Sequence, residues 1–163
     1  MPAEPAALTA EDYSALGEFR YRIRSFLHFS EGAAREEGLE PQQHQLLLAV
    51  RALEQEGGPT IGQLAEHLLI RHHSAVGLID RLGEHGLVER VRGGGDRRQV
   101  HVRLTRSGEE KLQRLSMIHR DELRSAGPLL VETLNGLLRS RAEEAPHAKK
   151  KEEHVREDPE RHS

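Results

Sequence analysis

Apolar and polar residues change their spacing along the middle of the chain, and this change predicts the elements there. Two stripes at helical spacing predict two helices, one with Leu64, Ala65 and Leu68 and the next with Val76, Ile79 and Leu82. Residues 69–71 leave room for only a short turn between these helices, as in a helix-turn-helix. Gly86 is expected to cap the second helix in a left-handed conformation.

The pattern then changes to that of a β-hairpin. Residues 87–92 and 99–104 are rich in β-branched residues and roughly alternate, which predicts two strands joined by the Gly-rich loop 93–98. The stretch from Thr60 to Thr105 therefore predicts a winged helix-turn-helix, and the usual ligand of that fold is double-stranded DNA.

Amphipathic helices are predicted on both sides of this stretch. Thr9 is the expected N-cap of a helix that continues to about Glu37, and Pro41 suits the first turn of the next one. All five aromatic residues of the protein lie on the first helix, namely Tyr13, Phe19, Tyr21, Phe26 and Phe29. After the wing, one helix is expected over residues 107–125, and a second from residue 129 to 142, with Gly127-Pro128 as the break between them.

The terminal helices carry more apolar surface than a small winged core can cover, so they are expected to pair with a second copy of the chain. The predicted fold is mainly α with a small β-wing: a winged helix-turn-helix domain plus N- and C-terminal dimerisation helices. The predicted divisions are a flexible N-terminus (1–10), N-terminal helices (11–57), the DNA-binding domain (58–106), C-terminal helices (107–142) and a disordered charged tail (143–163).

Net charge supports this interpretation only when it is divided along the chain. The whole chain has a net charge of −3, which is unfavourable for binding nucleic acid. Residues 58–106, however, hold eight Arg against five acidic residues, so the positive charge lies in the predicted winged domain. Local charge governs phosphate binding, although such a segment is also compatible with an ordinary solvated surface.

Several other classes of protein are disfavoured. The chain has no cysteine, which excludes disulfides and thiolate metal ligands. It shows neither an apolar run long enough to span a bilayer nor the pattern of a signal peptide, so we expect a cytoplasmic protein without a membrane partner. Nucleotide-binding, hydrolase and zinc-protease motifs do not occur, which predicts a non-enzyme without a cofactor.

Two motifs resemble those of the MarR-family transcriptional regulators. Asp96-Arg97-Arg98 followed by Leu104-Thr105 and Gly108 resembles the DxR…LTxxG signature of that family. Residues 78–82 followed by 86–88 resemble the end of its recognition helix, and the resemblance extends over about residues 12–142. It implies a homodimer built from interleaved terminal helices, which regulates transcription, often by repression, from a pseudo-palindromic DNA site.

The second helix of the motif is expected to enter the major groove with its N-terminal residues. The candidates on and before this helix are Arg71, His72, His73, Ser74, Val76 and Gly77. Thr60 and Gln63, at the start of the preceding helix, are candidates for phosphate contacts. Alternatively, the two histidines are only exposed residues at the start of a helix.

The sequence also departs from the family pattern at this helix. Many relatives have Ser-Arg-Pro-Thr before it and a basic residue where Gly77 stands. Glycine inside a helix costs about 1 kcal/mol relative to alanine, so Gly77 is expected to allow a close approach of DNA or another helix. This departure makes the DNA sequence that the protein recognises unpredictable.

The resemblance also assigns roles in the wing. Arg98 is the position that enters the minor groove, where narrow A·T-rich DNA concentrates negative potential. Asp96 would pair with an arginine and orient the wing, or it is a simple turn residue. Arg97 binds either phosphate or solvent.

The family resemblance further implies a small aromatic or phenolic effector bound between the dimerisation helices and the winged domain. The candidates for such a cleft are Tyr21, Arg24, Phe26, His28 and His44. Core packing is the alternative for each of them, and the scattered histidines predict no metal site.

The rival to DNA binding is a winged-helix module that binds protein instead. An acidic wing or a missing DxR motif would mark such a module, and neither occurs here.

Overall fold

The structure, a computed structural model, describes residues 8–54, 57–92 and 99–143. The element order is α1 (Ala10–Glu36), α2 (Pro41–Ala52), α3 (Ile61–His67), α4 (His72–Glu84), β1 (Val88–Arg92), β2 (Val100–Leu104) and α5 (Arg106–Glu143). These five helices and the two-stranded hairpin confirm the predicted fold class. The segments predicted as a flexible start and a charged tail lie outside the described residues, apart from a few residues at their inner ends, as does the tip of the wing, 93–98.

Local signals place the start of α1 and the end of α4 where the sequence predicts them. Thr9 caps α1 in a capping box with Asp12, whose carboxylate accepts hydrogen bonds from the backbone N–H and the hydroxyl of Thr9. These two bonds lower the pKa of the Asp12 carboxyl below its ordinary value. Gly86, at a φ of 67°, closes α4 in a Schellman motif, with Leu87 N–H donating to the Leu82 carbonyl at 2.9 Å.

The prediction of two C-terminal helices was wrong, because α5 continues unbroken through Pro128. Proline removes the hydrogen bond to the carbonyl of Arg124, but its fixed φ is compatible with a helix. The leucine-rich stretch that follows favours helix strongly enough for the chain to continue past this one missing bond. The side chain of Thr133 adds a bond to the Leu129 carbonyl at 2.7 Å one turn later.

The core is centred on α2, which packs against α1, α3, α4, α5 and β2. Leu46 and Leu47 of α2 are fully buried together with Leu64, Leu82 and Leu115 from the surrounding helices. The small core therefore connects the terminal helices to the helix-turn-helix through one central helix.

The terminal helices leave large apolar side chains exposed, and we call this region the terminal-helix surface. On α1 it comprises Tyr13, Leu16, Tyr21 and Leu27, and on α5 it comprises Met117, Ile118, Leu123, Leu129, Val131, Leu134 and Leu138. The exposure of these side chains ranges from 38% to 65%, far above that of core residues. Exposed apolar side chains repeated along two helices in this way are typical of a surface that another molecule covers.

Candidate DNA-binding surface

The turn between α3 and α4 is built as a Schellman motif around a residue that is not glycine. Leu69 has a φ of 54°, and the N–H of Ile70 donates to the carbonyl of Ala65 at 3.0 Å. The Leu69 side chain is 93% exposed, whereas Ile70 packs against the core. The left-handed conformation is unfavourable for leucine, so this turn is held by the packing of the helices on either side of it.

Helix α4 buries one face and presents the other to solvent. Ala75, Leu78, Ile79 and Leu82 are buried, and they fix the rotation of the helix about its axis. As a result, Arg71, the N-cap, is exposed together with His72 and His73. Ser74, Val76 and Gly77 are half-buried just behind this edge. The structure thus brings the six predicted major-groove residues together at one end of α4.

Gly77 is not required by packing within this chain. A Cβ added there would lie 3.6 Å from Nη1 of Arg81, which is an ordinary contact. The expected approach of another helix at Gly77 is therefore not found among the described elements, and its approach to DNA stays a prediction.

Thr60 and Gln63 form the capping box that begins α3. The Thr60 hydroxyl accepts from the Gln63 N–H at 3.3 Å, and Gln63 Oε1 accepts from the Thr60 N–H at 2.8 Å. The sequence analysis missed this structural role, although a Thr followed three residues later by Gln is its usual signature. Their predicted contact with phosphate is untested by this geometry.

The wing is anchored by the segment before α3. Strand β2 pairs with β1 and also with residues 59–60, where the Val102 N–H donates to the Pro59 carbonyl at 2.9 Å. The side chains of His101 and Arg103 bond to the carbonyls of Gly58 and Gly57, at 2.6 and 3.2 Å. Gly58 has a φ of 88°, and a Cβ there would lie 2.6 Å from the Val102 carbonyl oxygen, so this position needs glycine.

The two strands run antiparallel up to the pair Arg92 and Val100. The three predicted wing residues, Asp96, Arg97 and Arg98, belong to the tip and lie outside the described residues. Their roles therefore stay predictions. The described part of the wing fixes only where the tip begins and ends.

An ion pair that the sequence analysis did not identify connects α4 to the wing. Arg90 on β1 approaches the Asp80 carboxylate on α4 to 2.7 Å, and both side chains are nearly half exposed. Such an exposed pair contributes about 0.2–1 kcal/mol, so its main effect is to orient the strand relative to the helix. Asp80 was part of the quoted family motif, but no local pattern indicated Arg90 as its partner.

The LTxxG motif joins the base of the wing to the end of α4. The Thr105 hydroxyl donates to the Gly86 carbonyl at 2.6 Å and accepts from the Gly108 N–H at 3.1 Å, which caps the first turn of α5. The Thr105 N–H donates to the Leu87 carbonyl at 3.1 Å. A Cβ on Gly108 would lie 2.0 Å from that same carbonyl oxygen, so glycine is required by close approach.

The five predicted effector residues fall into two groups. Tyr21, Arg24 and His28 are exposed on α1, whereas Phe26 is half-buried and His44 is buried. Phe26 and His44 both contact the ring of His119 on α5, with centroid distances of 6.1 and 4.7 Å. The structure thus brings together two of the five residues, around a histidine that the sequence analysis missed. His119 lies at helical spacing from Leu112 and Leu115, and this spacing could have placed it on the buried face of α5.

The environment of His44 keeps its ring neutral near pH 7. Burial, followed by the charge of His119, lowers the pKa of His44 from 6.5 to about 4. His119 is held by two hydrogen bonds, from Nδ1 to the Leu115 carbonyl at 2.6 Å and between Nε2 and the Ser30 hydroxyl at 2.7 Å.

A separate cleft of about 260 Å³ lies between α2, the α3–α4 turn and α4. It is lined by Gln42, Gln45, Leu48, Ala49, His67, Leu68, Leu69, Ile70 and Leu78, and by none of the predicted effector residues. In the part of the chain that the structure describes, no three metal-binding side chains lie together, and no helix is long and apolar enough to cross a membrane.

One family model matches the central segment of the chain. Residues 37–99 match the model described as the MarR family. This range contains α2, α3, α4 and β1, and therefore the whole helix-turn-helix. Curated protein sequences give no match.

Solved structures of the same fold cover nearly the full chain. AbsC, a MarR family transcriptional regulator from Streptomyces coelicolor, is 23% identical with a TM-score of 0.67, and the match covers 85% of this chain and 96% of that one. A mutant of MepR from S. aureus, bound to an oligodeoxyribonucleotide, is 20% identical with a TM-score of 0.59, covering 84% and 95%. NadR in complex with 4-hydroxyphenylacetate is 21% identical with a TM-score of 0.61, covering 91% and 100%. The fold is thus that of solved MarR-family transcriptional regulators.

Proposed function

We propose that this chain, whose helix-turn-helix segment belongs to the MarR family, is a transcriptional regulator that binds double-stranded DNA as a homodimer. The observation that carries the proposal is the exposed first turn of α4, presented beside a hairpin that an ion pair joins to the same helix. Arg71, His72 and His73 offer hydrogen-bond donors there, and the buried face of α4 fixes their position. A helix presented in this way fits the major groove.

A second copy of the chain is the proposed cover of the terminal-helix surface. A helix pair with these eleven exposed apolar side chains is unfavourable in water, and burial against an identical surface removes that cost. Two copies would present two α4 helices to one duplex. We therefore propose a pseudo-palindromic DNA site, with half-sites about one helical turn apart.

We further propose that the protein represses transcription and that a small aromatic or phenolic compound releases it from DNA. The similar fold of NadR, solved with 4-hydroxyphenylacetate, supports this class of effector. Phe26 and His44, which meet at His119 where α1, α2 and α5 join, support a location between the terminal helices and the winged domain. A test of candidate effectors for release of the protein from DNA should therefore begin with 4-hydroxyphenylacetate.

The experiment that tests DNA binding starts from a pool of random-sequence duplexes, from which the protein selects its own site. Gel-shift titration of the selected duplex at several salt concentrations should give a steep loss of affinity as salt rises, because bound phosphates release counterions. Footprinting should show two protected half-sites. Failure to enrich any sequence over the starting pool would contradict the proposal.

A further inference from the structure

His44 and His119 bring two imidazole rings together at the junction of three helices. Their centroids are 4.7 Å apart with an angle of 33° between the ring planes, and His44 is 4% exposed. His44 belongs to α2, His119 to α5, and the hydroxyl that bonds His119 belongs to Ser30 on α1. Because α2 also packs on α3, α4 and β2, this contact lies on the direct connection between the terminal helices and the winged domain.

We propose that the His44–His119 contact is a proton-responsive joint, which loosens the packing of α2 against α1 and α5 when both rings carry a proton. The contact of the protein with DNA does not use these groups, although His44 also lies at the proposed effector location. The effect on protein stability stands without that function, whereas the effect on DNA affinity rests on it.

The hydrogen bonds of His119 suit either protonation state. The Leu115 carbonyl can only accept, so Nδ1 carries a proton and donates to it. In the neutral ring, Nε2 accepts from the Ser30 hydroxyl, and after protonation Nε2–H donates to the same oxygen. His119 can thus gain a positive charge without losing a partner, and the charge then lies beside His44.

The surroundings of the pair oppose a second charge. The rings of Phe26 and Phe29 pack against His119 in T-shaped contacts at centroid distances of 6.1 and 6.0 Å, so two of its neighbours are apolar. Within residues 8–54, 57–92 and 99–139, neither imidazole forms an ion pair with a carboxylate. Titratable or charged groups near the pair along the surrounding elements include His28, Glu31 and Glu37 in or after α1, Glu40 before α2, and Lys111, Arg114, Arg120, Asp121 and Glu122 on α5.

Most of the acidic groups among them pair with other residues, as Asp121 does with Arg124. Glu31 pairs with Arg35, and the Glu37 carboxylate pairs with Arg114 at 3.2 Å while its carbonyl accepts from Lys111. Glu40 caps α2 together with Gln43. Two imidazolium rings at this separation would therefore repel each other without a neutralising carboxylate in contact.

The direction of the pH effect follows from His44. Its pKa in the folded protein is about 4, below the ordinary 6.5, so the unfolded chain binds more protons between these values. Stability is therefore complete above about pH 6.5 and decreases as the pH falls toward 4. For a group shifted this far, moving from pH 7.5 to pH 5 should increase the equilibrium constant for unfolding on the order of tenfold.

The test compares the full chain with His44→Gln and with His85→Gln, which removes an exposed histidine at the end of α4. Urea denaturation at pH 7.5 and pH 5 should show the tenfold change in the wild type and in the His85 variant, but much less of it in the His44 variant. Equal pH dependence in all three proteins would overturn the proposal.

A second measurement needs no folded His44 variant. Imidazole ring signals followed by NMR across pH 3.5–8 should show that His44 titrates well below pH 6.5 in the wild type. His119→Gln should raise its midpoint, because it removes the neighbouring charge. An ordinary midpoint for His44, or one that His119→Gln leaves unchanged, would also overturn the proposed joint.

The DNA readout separates this inference from the function on which it partly rests. On a duplex selected by the wild type, the affinity ratio of wild type to His44→Gln should fall between pH 7.5 and about pH 4, because His44 in the folded protein takes up its proton only near pH 4. Protonation of His72 and His73 contributes equally to both proteins and cancels in the ratio. No DNA binding at pH 7.5, together with a low His44 midpoint, would contradict the function but retain the joint. An ordinary midpoint for His44 together with intact DNA binding would contradict the joint but retain the function.

Discussion

Gly108, in the first turn of α5, lies so close to Leu87 that a Cβ on it would be 2.0 Å from the Leu87 carbonyl oxygen. That carbonyl already accepts the Thr105 N–H. The glycine of the LTxxG motif is therefore explained by close packing of backbone on backbone, rather than by contact with DNA.

Gly108→Ala should destabilise the protein by about 1–3 kcal/mol or more, because α5 must shift away from the end of α4. The matched control is Gly83→Ala on the exposed face of α4, where the added Cβ would be 3.8 Å from its nearest neighbour. That change should stabilise the helix by about 0.5–1 kcal/mol, or at least not weaken it. Urea denaturation gives the free energy of unfolding of both variants. Equal stability of the two variants would show that α5 does not pack as closely as described.

Arg98→Ala should weaken binding to the selected duplex by about 1–3 kcal/mol, because the wing would lose its predicted minor-groove contact. The fold should be retained, since Arg98 is not among the paired residues of the two strands, 88–92 and 100–104. Arg35→Ala removes an equal charge from the exposed last turn of α1 and should leave affinity nearly unchanged. Gel-shift titration with circular dichroism compares the variants, and matching affinities for both would remove Arg98 from the interface.

Asp80→Ala and Arg90→Ala, alone and together, should give a coupling free energy of about 0.2–1 kcal/mol in a double-mutant cycle of stability. The coupling should shrink as salt is added, since both side chains are exposed enough to be screened. Thermal denaturation in low and high salt provides the measurement. A coupling that persists unchanged in high salt would indicate a contact other than the ion pair.

Thr60→Ala should cost about 0.5–2 kcal/mol of stability by removing the N-cap of α3, whereas Thr60→Ser keeps the hydroxyl and should cost only a few tenths. Denaturation curves of the two variants separate the hydroxyl from the methyl group. If the serine variant were as unstable as the alanine variant, the capping bonds at Thr60 would not be what stabilises α3.

Leu134→Glu should shift the protein toward monomers, since a carboxylate buried without a partner in an apolar interface costs about 3–5 kcal/mol. Gln113→Glu adds the same charge at an exposed position nearer the winged domain and should leave the assembly unchanged. Sedimentation equilibrium distinguishes the 18.4 kDa chain from twice that mass. A wild-type protein that sediments as one chain, or a Leu134 variant that does not differ from it, would exclude a dimer through this surface.

Local sequence signals predicted the features that depend on neighbours in the chain. Periodicity and capping residues located α1 to α4, and alternation with a glycine-rich loop located the hairpin. Pro128 misled the prediction because a single proline weighs heavily in a local rule, yet costs only one hydrogen bond in a long helix.

Contacts between distant residues were beyond these signals. Nothing in the spacing of His44 indicates that it meets His119, and the pairing of Asp80 with Arg90 depends on how the hairpin folds back onto α4. Thr105 and Gly108 were recognised by resemblance, but only the structure gives the reason for them. The exposure of the candidate residues at the start of α4 was predictable, because a helix with one buried face leaves its other face to solvent, and their contact with DNA stays a prediction.

The continuity of α5 has a mechanical consequence. With 38 residues it is a rod about 57 Å long at the usual rise per residue, and it begins directly after the return strand of the wing. A tilt of about 5° imposed at its far end would displace the opposite end by about 5 Å over that length. Bending is expected to concentrate between Arg124 and Pro128, where one rung of the hydrogen-bond ladder is missing. The base of the wing and the leucines near the end of α5 are therefore connected by one continuous helix, and this helix is expected to bend most easily at Pro128.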